Sequence, residues 1–311
     1  MSTIATAAPN APSVRRRRRS TYQSRRNTLA AVIFIAPTVV LIVVLRIVPT
    51  ISAIGTSMHS GLPGSLTPPE FVGGKVFADL FGSSSFWQTV AQTLIFNLIV
   101  NPLQIVIALV LAVLLTRGLP AAGLWRTIIF LPAAVPMAGS AIIWGIALRP
   151  DGPVNGVITA LGLPAQPFLT SPNQVVGSII LIVSWIGIGY WMMFLIAGLN
   201  DIPDVYYEAS RIDGAGALRT FFSITLPLLR RPLLFVLVAD TVSNFVLFAP
   251  VQILTKGGPQ NQSNFLMYDI FDHSYNLSNP YTASAELIVL LVIMIVIVAV
   301  QFRLLGSGDD E

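Results

Sequence analysis

Six apolar runs, each about 20 residues long or slightly longer, divide this chain, and they constrain its fold more than any other feature. At about 1.5 Å of rise per residue, a helix of that length spans the ~30 Å hydrocarbon core of a bilayer. In lipid, backbone N–H and C=O groups must be satisfied within the segment, which makes such runs helices. The expected spans are residues 29–54, 88–115, 126–148, 175–199, 233–254 and 283–302. Charged residues are only 10% of the chain, against ~25% in a soluble domain, and they gather between the runs. That distribution argues against a large soluble protein with buried helices.

The segments between the spans set the topology. Residues 1–28 read as a disordered basic tail, with arginines at 15–19, 25 and 26. Such a run can bind nucleic acid, but beside an apolar segment it reads as positive charge held on the cytoplasmic side, with no nucleic-acid partner. With the amino terminus inside, the inner side collects residues 15–19, 25, 26, Arg117, Arg126, Arg211, Arg219, Arg230, Arg231 and Arg303. That is 14 of the 18 basic residues. Only Arg46, Lys75, Arg149 and Lys256 fall outside, and Arg46 is close enough to the far face to snorkel to the headgroups. The expected fold is an all-α membrane protein of six transmembrane helices over 29–305. Both termini are cytoplasmic, and residues 306–311 form an acidic tail. The location is the plasma membrane, with lipid as a partner.

The longest polar interruption in the second half of the chain, 200–229, falls on the cytoplasmic side of that topology. Asp201 suits a helix N-cap, Pro203 a first turn, and Asp204 the positive end of the helix dipole. That helix would reach Asp213, with Gly214 and Gly216 turning the chain. A second helix over 217–224 would stop before Pro227. Glu208 and Arg211, three apart, can pair on one face. The loop reads equally as a docking element for a partner protein or as an ordinary solvated turn.

Several chemistries find no support. The phosphate-binding pattern G-x-x-x-x-G-K-[ST] is missing, since Gly73-Gly74-Lys75 has neither the spacing nor the hydroxyl residue. ATP, if used, must be bound by another subunit. No nucleophile, base and acid arrangement appears, so no catalytic residue and no enzyme activity is expected. No cofactor is called for. The chain has no cysteine, and His59 and His273 stand alone in outer loops, so no metal constellation is expected.

Two polar stripes interrupt the apolar spans. Thr93, Asn97, Asn101 and Gln104 share a face of the second, and Asp240, Asn244 and Phe248 a face of the fifth. A charge at that depth costs about 2.5–3.5 kcal/mol, so Asp240 must face protein or water. The stripes can line a passage for a hydroxyl-rich solute or hydrogen-bond the helices to one another. Trp144, Trp185, Tyr190 and Trp191 can stack on sugar faces or anchor the spans at the interface.

Three regions resemble one family. Glu208-Ala209-Ser210, Asp213-Gly214-Ala215 and Ile224-Thr225-Leu226-Pro227 resemble the EAA loop of permease subunits in binding-protein-dependent ABC importers, with Ser210 where the family has a second alanine. The run from Arg126 through Ile128 and Phe130 to Pro132, with Ile143-Trp144 and Asp151-Gly152-Pro153-Val154-Asn155, is similar to the third span of sugar permeases. Leu254-Thr255-Lys256-Gly257-Gly258-Pro259 is similar to their outer loop after the fifth. The resemblance covers about residues 28–305, within the maltose-type and glycerol-phosphate-type branch. It implies a type I importer permease fold and a loop that docks as a coupling helix on a cytoplasmic ATPase. Glu208, Ala209, Ser210, Asp213, Gly214 and Ala215 would be contact and turn residues, and Ile224, Leu226 and Pro227 would anchor the exit. The implied partners are a second related permease, two ATPase subunits and an extracellular solute-binding protein. The cargo would be a sugar, polyol or glycerol-phosphate compound. A permease for a non-sugar solute and an ion-gradient secondary transporter are the other readings, although the chain shows no internal repeat of the kind common in the latter.

Overall fold

The computed structural model describes residues 21–61, 68–116 and 118–306, with side chains from Val32 onward. Most of the basic tail, Arg117 and residues 307–311 of the acidic end therefore lie outside the described residues. The chain divides into two compact units, Met1–Ser52 and Ala53–Glu311.

In the first unit, α1 (Thr21–Ile42) begins inside the stretch read as tail and continues through a π-helical turn, Val43–Ile47, into α2 (Val48–Thr56). Every side chain from Val32 to Ile47 is exposed, Arg46 included. A helix that is apolar all round is suited to lipid rather than water.

In the second unit, a two-stranded antiparallel ribbon, β1 (His59–Ser60) with β2 (Glu70–Phe71), precedes the short amphipathic helix α3 (Lys75–Gly82). The second span is α4 (Ser84–Thr116), whose 33 residues extend about 50 Å, well beyond the hydrocarbon core. After α5 (Ala122–Phe130), a 3₁₀ turn Leu131–Ala134 and α6 (Met137–Ala147) comes α7 (Pro153–Ala160). The fourth span is α8 (Val175–Asn200), and α9 (Asp204–Ile212) and α10 (Ala217–Thr220) belong to the polar loop. A π turn Phe221–Thr225 and α11 (Leu226–Leu228) lead into α12 (Arg230–Phe245) and α13 (Ala249–Leu254). The chain ends with α14 (Leu266–Phe271), a π turn Asp272–Asn276 and α15 (Pro280–Gly306).

Two expectations need correction. The third span is not one helix: the pair 122–134 and 137–147 bends by 96°. Pro132 and Pro136 lie at the break, where rings cannot continue the hydrogen-bond ladder. The fifth span breaks at 246–248, so Phe248 leaves the face of Asp240 and Asn244 and packs on Phe271, ring centroids 4.7 Å apart.

The bent pair still counts as one crossing, because two clefts fix its parity. Asp79 and Leu80, before the second span, line one cleft with Asp269 and His273, after the fifth. Thr116, at the end of the second span, lines another with Asn200 and Asp201, at the end of the fourth. Each juxtaposition requires an even number of crossings between its members. With α4, α8 and the α12–α13 run each crossing, both counts are even only if the bent pair crosses too. Five helices are long and apolar enough to span, and the pair makes the sixth.

Spans two and four form the centre. Ile105, Ala108, Ala112 and Leu115 of α4 pack on Met192, Leu195 and Leu199 of α8, with Leu229 and Val236 beside them. Nearer the other end, Phe96 and Val100 pack on Ile179 and Val183. The elbow of the bent pair rests on α8 at Gly189, where a Cβ would overlap the Ile129 carbonyl oxygen and stand 2.9 Å from its carbon. Small residues at such crossings let backbones approach.

Candidate functional site

The polar loop is built by local rules, shifted by one or two residues from expectation. Pro203, in extended backbone, is the N-cap of α9, while Asp201 ends α8. Asp204 lies in the first turn, as the dipole requires. At the other end the Ala215 N–H donates to the Ser210 carbonyl (2.9 Å) and the Gly214 N–H to the Arg211 carbonyl (3.1 Å). These are the two bonds of a Schellman turn, and Gly214, at φ +70°, occupies its left-handed position. Gly216 has an ordinary φ of −69° and serves as the N-cap of α10, so its lack of a Cβ is not required there. The second helical segment passes Pro227 instead of stopping short: Ser223, whose carbonyl the proline ring would strike, sits in the wider π turn. Glu208 and Arg211 form no ion pair among the described residues; both are exposed.

The two helices are tied inward. Ser210 is buried, donates to the Tyr207 carbonyl (2.8 Å) and accepts from Thr220 Oγ1 (3.4 Å). The Tyr207 hydroxyl meets Thr225 Oγ1 at 3.3 Å. Glu208, Ala209, Asp213 and Gly214 face out, Ala215, Ile224 and Leu226 are half-buried, and Pro227 is exposed. Sequence reasoning missed the apolar half of this surface. Ile212 is 87% exposed, Leu218 76% and Phe222 61%, gathered on a loop that also carries Glu208 and Asp213. Three large apolar side chains thus stand exposed on one polar loop, an apolar patch beyond the spans. The signal was present as apolar residues at 212, 218 and 222, but a polar stretch draws attention to its charges.

The two stripes within the membrane meet. Asn244 Nδ2 donates to Asn101 Oδ1 (2.8 Å) and to Asp240 Oδ1 (3.1 Å). Asn101 Nδ2 donates to Thr241 Oγ1 (3.2 Å), which also accepts from Gln301 Nε2 of the sixth span (2.8 Å). Trp191 Nε1 donates to Asp240 Oδ1 at 2.6 Å, giving this tryptophan a polar role that its sequence context did not show. Gln104 Nε2 reaches Ser184 Oγ on the fourth span (3.2 Å), Asn97 Nδ2 bonds the Thr93 carbonyl (2.9 Å), and Thr93 Oγ1 accepts the Leu266 N–H (2.8 Å). All of Thr93, Asn97, Asn101, Gln104, Asp240 and Asn244 are buried, and Asp240 Oδ2 has no hydrogen-bond partner. The arrangement links the second, fourth, fifth and sixth spans through side-chain polar groups.

Outside the spans, Asn155 holds the loop after the third span by donating to the Arg149 and Gln166 carbonyls (3.0 and 2.9 Å) and accepting the Gln166 N–H (2.7 Å). His273, expected to stand alone, instead lies 3.1 Å from Glu286 and 4.0 Å from Asp269. Thirteen residues separate His273 from Glu286, too many for spacing to reveal the contact.

Apolar crossings tied together by buried polar side chains in the second unit, with a half-apolar loop beyond them, define a multi-pass membrane protein. The chain belongs to the family of binding-protein-dependent transport system inner membrane components, whose pattern it matches over residues 104–306. It is 30% identical over 272 residues to the lactose transport system permease protein LacF of Rhizobium radiobacter, covering 86% of this chain and 90% of that one. It is equally 30% identical over 284 residues to the sulfoquinovosyl glycerol transport system permease protein SmoG of Agrobacterium fabrum, covering 90% and 92%. In fold it is similar to a chain of a bacterial alginate ABC transporter solved in complex with an alginate pentasaccharide-bound periplasmic protein, with a TM-score of 0.79, 20% identity, and coverage of 91% of this chain and 96% of that one.

Proposed function

We propose that this permease forms half of the translocation path of an ATP-driven importer for a sugar or a related polyol or glycerol-phosphate compound. A second, related permease would supply the other half, two ATPase subunits the energy, and an extracellular binding protein the solute. The observation that carries this reading is the exposed face of the 201–227 loop, where Ile212, Leu218 and Phe222 surround the Schellman turn at Gly214. Such a face, rigidly presented at the end of two spans, suits a cleft in a partner that performs mechanical work. The lactose and sulfoquinovosyl glycerol permeases among its relatives support a hydroxyl-rich cargo. The alginate transporter, solved with its periplasmic protein, supports a receptor on the outer face.

The excess of basic residues on one side favours placing both termini and the loop in the cytoplasm. Within the membrane, Asn97, Asn101, Gln104, Asp240 and Asn244 are proposed to border the passage. In this role the free Oδ2 of Asp240 is the acceptor that a substrate hydroxyl would reach once the helices part.

The test is uptake and ATPase activity of the assembled complex carrying Gly214→Asp or Glu208→Lys. Both should assemble and insert normally while uptake falls by roughly tenfold or more, leaving ATP hydrolysis without transport. Normal uptake by either stably assembled variant sinks the docking role. Uptake that survives ATP depletion but stops with an uncoupler would transfer the chain to the ion-gradient class.

A further inference from the structure

We propose that Asp269, His273 and Glu286 form a binding site for one divalent transition-metal ion, with Zn²⁺ the best fit, joining the loop after the fifth span to the start of the sixth. The three side chains come from α14, from the π turn after it and from the first turns of α15. One donor atom from each, His273 Nδ1 and a carboxylate oxygen from Asp269 and Glu286, lies within 4.8 Å of the others. Zinc holds nitrogen and oxygen ligands at about 2.0–2.2 Å in a tetrahedral arrangement, so ligands around it lie about 3.4 Å apart. Closing the cluster onto an ion therefore takes a movement of at most about 1.4 Å by the widest pair. His273 Nδ1 already lies 3.1 Å from Glu286 Oε1 and 4.0 Å from Asp269 Oδ1, so the movement falls mainly between the two carboxylates.

The cluster is more than a collection of acids. Glu286 is 1% exposed, and its Oε1 has no hydrogen-bond donor. Oε1 lies 3.1 Å from His273 Nδ1, but the hydrogen bond runs to Oε2 at 3.2 Å, leaving Oε1 as a buried acceptor turned toward the cluster. The imidazole at 3.1 Å offsets part of the cost of burying that oxygen, and a metal ion would satisfy it directly. Asn264 Nδ2 donates to Asp269 Oδ1 at 2.9 Å and orients that carboxylate from behind, as outer-shell groups do in metal sites. Beside the cluster is a cleft of about 300 Å³, lined also by Asp79, Asn279 and Tyr281 and by no Lys or Arg among the described residues. It gives an ion an entry path and leaves room for water as further ligands. One imidazole and two carboxylates with open positions suit Zn²⁺, while the absence of thiolates argues against softer ions. A bound ion would tie α14 to α15.

The experiment uses the full chain in its assembled complex, stripped with a chelator and titrated with Zn²⁺ alone by calorimetry. Co²⁺ serves as a spectroscopic probe. One ion should bind per chain, and Co²⁺ should give the visible absorption of a four-coordinate nitrogen and oxygen site. His273→Asn, at a partly exposed position, and Glu286→Gln, nearly isosteric, should each weaken binding by about tenfold or more and remove the absorption. Asp272→Asn, on the same turn but outside the ligand set, should leave both intact. Failure to bind one ion per chain overturns the site. So does binding that both ligand variants leave unchanged, since the ion would then sit elsewhere. Neither readout depends on uptake, so the transport reading and the metal site can fail separately.

Discussion

The loop at 201–227 and the seam within the membrane invert each other's polarity. In the loop, Ile212, Leu218 and Phe222 are exposed while Ser210, a hydroxyl, is buried. In the seam, Asn101, Asp240 and Asn244 are buried while apolar neighbours such as Leu98 and Val242 face outward. Both are consistent for a chain whose surroundings change along its length. In lipid the outward face is apolar, and polar groups turn inward to find one another. Beyond the lipid, an apolar face that remains outward is the surface on which the proposed docking rests. Burial alone therefore does not identify function in such a chain; the useful sign is a residue whose exposure is wrong for its local solvent.

Substitutions can break or sharpen that contrast. The largest expected loss is structural: Gly189→Val drives side-chain atoms into the Ile129 backbone, for which overpacking costs of about 3 kcal/mol or more are expected, read as a lower melting temperature in detergent. Next, Leu218→Asp or Ile212→Asp should leave the melting temperature within about 1 °C, because neither side chain packs inside the chain. Uptake by the complex should fall roughly tenfold. If both substitutions leave uptake untouched, the exposed apolar face is no docking surface. In the glycine pair, Gly214→Ala should cost about 1–2 kcal/mol for its left-handed backbone, whereas Gly216→Ala, with open space and ordinary φ, should be nearly neutral. Equal effects would show that the turn is not rigid. Smallest is the seam, where Asn101→Leu should cost about 1 kcal/mol. Adding Asn244→Leu should cost less than the two separately, because they share the 2.8 Å bond. Full additivity would mean that this bond contributes nothing.

Much of this was legible in the chain. Long apolar runs are read directly because the bilayer imposes length, and α4, α8 and α15 extend only a few residues beyond the expected bounds. The Schellman turn was legible through Gly214, since few other residues accept that backbone. What escaped depends on contacts distant in sequence. Pro132 and Pro136 were visible, but a hydrophobic window averages across a break, and the bend is held by Gly189, more than 50 residues further on. The Trp191–Asp240 bond and the His273–Glu286 contact likewise join segments that no spacing rule relates. Pro227 misled because a proline normally ends a helix, and the compensating π turn leaves no mark in composition.

The right-angled third crossing has a consequence for the lipid around it. Its two legs, Ala122–Ala134 and Met137–Ala147, bend by 96°, so with each leaning equally they reach only about 24 Å along the bilayer normal. That is short of the ~30 Å hydrocarbon thickness, whereas α4 and α15 are longer than needed. Hydrophobic mismatch of this sign draws headgroups inward and pinches the bilayer on one flank of the protein. With that tilt the permease would carry its own local dimple, and thicker bilayers should resist it.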